Sequence, residues 1–123
     1  MILVVDDDGN VRQFVRFALE DAGYSVTEAA GAEEAWKILE QNPPALLLTD
    51  IVMPGANGLV LAARAHKLKP DLRVIFMTGF AQEYRDELSG SVCLSKPFSV
   101  AMLLSAVESA IGHPRERPSA GRA

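Results

Sequence analysis

Residues 2–7 read Ile2-Leu3-Val4-Val5-Asp6-Asp7, four apolar residues that run straight into two carboxylates. The pattern returns three times. Leu46-Leu47-Leu48 runs into Thr49-Asp50, Val74-Ile75-Phe76-Met77 into Thr78, and Val92-Cys93-Leu94-Ser95 into Lys96. Short apolar runs bounded by turn residues and separated by helix-length segments are expected to be buried strands of a parallel sheet. Such sheets bind ligands beyond the carboxyl ends of their strands, so three carboxylates, a hydroxyl and an ammonium would converge there.

Between the runs the apolar spacing turns helical. Val11, Phe14, Val15, Ala18, Leu19 and Ala22 follow the i, i+3, i+4, i+7 pattern, and Gly23 supplies the stop. A second strand is expected over Tyr24 to Ala29, and a second helix over about Ala32 to Asn42, ended by Pro43-Pro44. Trp36 on that helix reads as core packing. After Asp50 the stretch Met53-Pro54-Gly55-Ala56-Asn57-Gly58 reads as a turn-rich loop, and a third helix follows near Leu59 to Leu68, stopped by Pro70. Gln82 to Leu88 gives a short, weakly patterned fourth helix. Val100, Leu103, Leu104, Val107 and Ile111 give a strong fifth, closed by Gly112. Strand and helix alternating five times imply βαβ units in one α/β domain over residues 1–112.

Residues 113–123 differ in kind, with two prolines, three arginines and no large apolar side chain. They read as a disordered C-terminal tail or a linker. Arg115, Arg117 and Arg122 against Glu116 give this segment +2, so residues 1–112 hold −6 of a chain whose net charge is −4. That balance speaks against a nucleic-acid-binding face, whose footprint is a clustered basic stripe. No window nears the roughly 18 apolar residues of a membrane span, and the start lacks the basic, long-apolar form of a signal peptide. Cys93 is the single cysteine, which rules out a disulfide framework and fits a reducing, cytoplasmic setting.

Charge then sets the chemistry. Carboxylates about 5 Å apart at neighbouring strand ends repel by roughly 3 kcal/mol per pair at an effective dielectric near 20. A cation is needed to keep Asp6, Asp7 and Asp50 ionised together. An all-oxygen site with few protein ligands suits Mg²⁺ or Mn²⁺, which keep several waters and accept phosphate oxygens. Lys96 adds a positive charge for an anion held beside the metal, and the Thr78 hydroxyl can donate to the same anion. The covalent species such a site would form is an aspartyl phosphate. Asp50 is the candidate nucleophile, because it stands alone on the middle strand while Asp6 and Asp7 are paired for metal.

In these segments the chain resembles the receiver domains of two-component response regulators. The resemblance is carried by Val4-Val5-Asp6-Asp7-Asp8, Leu48-Thr49-Asp50-Ile51-Val52-Met53-Pro54, Asn57-Gly58, Met77-Thr78-Gly79 and Ser95-Lys96-Pro97-Phe98. It implies a flavodoxin-like, doubly wound sheet with strand order 2-1-3-4-5 and five helices. It implies that Asp50 takes a phosphoryl group from a histidine kinase or a phosphotransfer protein. By match, Asp7, Asp50 and the backbone carbonyl of Val52 would ligate Mg²⁺, with Asp6 acting through a metal-bound water. Thr78 and Lys96 would hold the phosphoryl oxygens, and the Lys96–Pro97 peptide would be cis. The chain would then be a switch rather than an enzyme, catalysing only its own phosphoryl transfer and dephosphorylation.

Two departures from the family stand out. Receivers usually carry an aromatic switch residue three places before the lysine, and here that place holds Cys93. Val52 and Phe80, two places after Asp50 and Thr78, are apolar where polar side chains often guide an attacking water. A haloacid-dehalogenase-type phosphatase would need an acid at Val52, and a dinucleotide site would not tolerate Asp6-Asp7-Asp8 after the first strand. The remaining alternative is a phosphorylation-independent interaction module, or a receiver excised from a hybrid kinase or multidomain regulator. Leu88, Val92, Leu94, Met102 and Ser105, if exposed, would form the contact face for an output protein or for a homodimer through the last helices and strand.

Overall fold

A computed structural model of the chain describes residues 1–114. Four helices and seven strands follow in the order β1 (Ile2–Val5), α1 (Gly9–Asp21), β2 (Val26–Ala29), α2 (Ala32–Gln41), β3 (Leu46–Asp50), β4 (Val52–Met53), β5 (Ala56–Asn57), α3 (Gly58–Leu68), β6 (Arg73–Thr78), β7 (Val92–Ser95) and α4 (Val100–Ile111). Five strands pair in parallel in the order β2-β1-β3-β6-β7, which is the expected 2-1-3-4-5 once the small β4–β5 hairpin has taken two numbers.

The central strands β1, β3 and β6 are buried on both faces over most of their length, and this is why they read as apolar runs. Alternate side chains serve opposite layers. Ile2, Val4, Leu46, Leu48, Ile75 and Met77 pack with Val15 and Leu19 of α1 and Leu103 and Val107 of α4. Leu3, Val5 and Leu47 pack with Ala35 and Leu39 of α2 and Leu61 and Ala65 of α3. Each fully buried Leu, Ile or Val contributes roughly 1.5–3 kcal/mol by leaving water, so the strands that carry the acids at their ends are the most firmly held part of the molecule.

Three expectations need correction. Gln82 to Leu88 is not a helix; it is a chain of turns, with isolated bonds such as Glu83 N–H to Phe80 O at 3.0 Å and Leu88 N–H to Tyr84 O at 2.9 Å. A segment this short is stable as a helix only if it buries an apolar face. Here only Tyr84 and Leu88 turn inward, against Ile51, Ala62, Phe76 and Cys93. The domain therefore has four helices among the described residues, not five. The second correction concerns the contact face, since Leu88 and Leu94 are buried and only Val92, Met102 and Ser105 of that set are exposed. Third, the loop after Asp50 contains a hairpin, Val52 pairing with Asn57 and Met53 with Ala56. Gly55, with φ of 69°, takes its tight turn.

Smaller differences lie at element ends, where β2 begins at Val26 rather than Tyr24 and α1 begins at Gly9. Trp36 is half-buried, with the Arg64 guanidinium over its ring at 4.1 Å. The expected tail falls from residue 115 onward outside the described residues. No helix among those described is long and apolar enough to cross a membrane.

Candidate functional site

The ends of β1, β3, β6 and β7 lie side by side, and the register explains what meets there. Val5 is level with Thr49, Asp50 with Met77, and Thr78 with Ser95. Each strand then presents its next side chain at the same edge of the sheet. One carboxylate oxygen from each of Asp6, Asp7 and Asp50 lies within 4.8 Å of the other two. Asp6 and Asp50 are buried, whereas Asp7 is exposed. Lys96 reaches in from the end of β7, its Nζ donating to Asp6 Oδ2 at 2.8 Å and to Asp50 Oδ2 at 3.3 Å.

Local hydrogen bonds fix each group. Asp6 Oδ1 accepts from Asp8 N–H at 2.9 Å, and the Asp8 side chain in turn caps α1 by accepting from Asn10 N–H. Asp50 Oδ1 accepts from Ile51 N–H at 2.8 Å, which leaves its other oxygen for Lys96. The buried Thr78 hydroxyl accepts from Phe80 N–H at 2.9 Å, so its own proton remains to be donated. Gly58 brings the first turn of α3 against the end of β3, its N–H donating to Ile51 O at 2.7 Å.

Burial pushes the Asp50 carboxyl above its ordinary range, the Asp6 charge adds to this, and Lys96 opposes both. Burial pulls the Lys96 ammonium down, but Asp6 and Asp50 outweigh it and hold it above its usual value. Three carboxylates against one ammonium leave two negative charges uncompensated in a partly desolvated pocket. That donor set, all hard oxygen with one exposed carboxylate, fits a divalent cation.

Other expected positions lie around this core. Val52 follows the site on β4 and is 43% exposed, and Phe80 is 49% exposed beyond Thr78. Cys93 stands apart from the acids, packed with Ile51, Phe76 and Leu88, and burial pushes its thiol up. The Lys96–Pro97 peptide is cis, as the resemblance implied. The motifs did not single out Arg12, whose Nη1 donates to the Asp6 backbone carbonyl at 2.7 Å while Nε donates to Glu28 at 3.0 Å. The available signal was a cation in the first turn of a helix, where the macrodipole disfavours it.

A doubly wound parallel sheet with its polar cluster beyond the strand ends defines the class: an α/β domain whose candidate site lies at its topological switch point. The model for response regulator receiver domains matches residues 2–108. The chain belongs to this family of signalling modules. It is 42% identical to the response regulator receiver protein CpdR of Brucella abortus over 87% of this chain and 92% of that one. It is 37% identical to the DNA-binding transcriptional regulator NtrC of a Bradyrhizobium species over 96% of this chain, which spans only 25% of that longer relative. Among solved structures, response regulator TrrA of Thermotoga maritima, in complex with Mg²⁺–BeF, superposes with a TM-score of 0.82 at 34% identity, covering 89% of this chain and 97% of that one. The receiver domain of NtrX from Brucella abortus gives a TM-score of 0.83 at 29% identity, with the same coverage of 89% and 97%.

Proposed function

We propose that residues 1–112 form one phosphoacceptor unit, in which Asp50 takes a phosphoryl group from a histidine kinase or phosphotransfer protein and the modified domain changes its protein contacts. The observation that carries this reading is the convergence of Asp6, Asp7, Asp50 and Lys96 at one strand-end cluster with two uncompensated negative charges. Asp7, Asp50 and the Val52 backbone carbonyl are the groups that would hold Mg²⁺ or Mn²⁺, with Asp6 acting through a water. When bound, the metal supplies charge neutralisation and orients phosphate oxygens.

The chain's own residues do the rest. The Asp50 oxygen attacks phosphorus, forming the carboxylate–phosphoryl bond as the donor's bond to phosphorus breaks. Lys96 would follow the new charge from Asp50 onto a phosphoryl oxygen, and the Thr78 hydroxyl would donate to another. The donor's leaving group departs with its electron pair. The chemistry of the unit is confined to its own phosphoryl gain and loss. The exposed Val92, Met102 and Ser105 on β7 and α4 are the face offered to an output protein or a second copy.

Incubation with acetyl phosphate and Mg²⁺, followed by intact mass, tests this. A gain of one phosphoryl group that needs Mg²⁺ and vanishes in Asp50→Asn is expected. No adduct with acetyl phosphate or with phosphorylated histidine-phosphotransfer protein, from a folded chain, refutes it in favour of an interaction module that works unmodified.

A further inference from the structure

Arg12 sits at the fourth position of α1, one turn from the positive end of the helix, where a cation is disfavoured. It is nevertheless well ordered by partners. Its side chain is only 21% exposed, and two of its donors are taken by groups on different elements. Nε–H meets Glu28 of β2 at 3.0 Å, and Nη1–H meets the backbone carbonyl of Asp6 at 2.7 Å. That carbonyl lies past the last β1–β2 rung, Val5 with Ala29, beyond the reach of the regular ladder.

The Asp6 carbonyl belongs to the peptide that joins Asp6 to Asp7. Fixing its direction fixes the plane from which Asp7 departs. Asp6 itself has other restraints, because Asp8 N–H and Lys96 Nζ hold its two carboxylate oxygens. Asp7 is the exposed carboxylate of the three, and its placement depends on that backbone. Glu28 completes the brace: one oxygen holds Arg12, while the other takes Arg16 Nη1 at 2.9 Å. A guanidinium suits the task because its rigid fork can serve a carboxylate and a carbonyl at once, which an ammonium on a flexible stem does poorly.

We propose that Arg12 is a positioning residue of the phosphoacceptor site, which, braced by Glu28, orients the Asp6–Asp7 peptide so that the Asp7 carboxylate is set for the divalent cation. This rests on the proposed phosphoacceptor function and deepens it. Groups that orient metal ligands from behind typically change metal affinity by about 10- to 100-fold when removed.

Isothermal titration with Mg²⁺, well below the unfolding temperature, gives the primary readout, and the rate of phosphoryl gain from acetyl phosphate the second. Arg12→Ala should weaken Mg²⁺ binding on the order of tenfold, with circular dichroism showing the fold retained. Arg12→Lys should recover part of the affinity but not all of it, and this variant carries the test should the alanine variant unfold. Glu28→Ala should weaken binding in the wild-type background and add little in the Arg12→Ala background, since Glu28 acts through Arg12. Arg16→Ala, which loses its ion pairs with Glu20 and Glu28 but touches no part of the Asp6 loop, should leave the affinity unchanged. If the wild type binds Mg²⁺ and is phosphorylated on Asp50 while Arg12→Ala and Arg12→Lys bind Mg²⁺ equally well, the inference fails and the proposed function stands. A wild type that neither binds Mg²⁺ nor gains a phosphoryl group overturns both.

Discussion

Replacing Gly58 by alanine would put a methyl carbon 2.0 Å from the carbonyl oxygen of Asp50, 2.9 Å from its carbonyl carbon and 3.1 Å from the Cα of Ile51. All three are backbone atoms, so no side chain can rotate away. Ordinary contact begins near 3.4 Å, and relief therefore requires α3 and the end of β3 to part by more than about an ångström. That motion would stretch the 2.7 Å bond from Gly58 N–H to Ile51 O. Overpacking of this kind costs about 3 kcal/mol, and the loss of glycine's freedom in the unfolded chain returns up to about 1 kcal/mol. A net loss of about 2 kcal/mol should lower the urea midpoint by roughly 1 M, taking an m-value near 2 kcal/mol/M. Urea unfolding followed by far-ultraviolet circular dichroism measures it. Gly31→Ala is the matched control, because a methyl there meets nothing within 4 Å. A Gly58→Ala midpoint within ~0.2 M of wild type would show that the close approach does not constrain the site and would sink the reasoning.

Three further outcomes are expected. Arg16, and more weakly Arg12, hold the Glu28 carboxyl below its ordinary value against the opposing pull of partial burial; its stabilising contribution is therefore full above the ordinary carboxyl range and disappears as pH falls through the lowered value. The unfolding free-energy gap between wild type and Glu28→Gln should be steady from pH ~7 to ~5 and shrink toward pH ~3, and a gap that widens on acidification contradicts this. Burial raises the Cys93 thiol, so it should react with Ellman's reagent on the order of tenfold more slowly in the native protein than in the urea-unfolded chain; equal rates would place it in solvent. Val52 and Phe80 give no polar group to steer a water toward a phosphorylated Asp50, so Val52→Asn and Phe80→Glu should each shorten the phosphoryl lifetime several-fold, measured by loss of label, and unchanged lifetimes argue against screening.

Much of the sheet was readable because burial on both faces keeps the middles of the central strands apolar, so Ile2–Val5, Leu46–Leu48 and Val74–Met77 mark themselves. The candidate site was readable for the same reason: Asp6 and Thr78 directly follow their apolar runs, and Asp50 and Lys96 each follow theirs after one hydroxyl residue, Thr49 and Ser95. Gln82 to Leu88 reads as a short, weakly patterned helix, yet only two of its side chains, Tyr84 and Leu88, turn inward, and these do not bury enough to hold a helix. The β4–β5 hairpin escaped because two-residue strands leave no periodicity to detect. Gly58 and Arg12 illustrate a different limit. What matters at each is a contact with the backbone of a distant segment, the Asp50 carbonyl in one case and the Asp6 carbonyl in the other, and no pattern along the chain encodes which carbonyl will be near.

The ion pair between Lys96 and Asp6 joins residues 90 positions apart in sequence. β1, β3, β6 and β7 must all be in register before those two atoms can meet, so the pocket closes only once four of the five strands of the sheet have assembled. A ribosome-bound chain that has not yet released Lys96 holds Asp6 and Asp50 without the ammonium that pairs with both. The placement of one lysine thus makes charge balance at the strand ends depend on the first and last strands of the sequence at once.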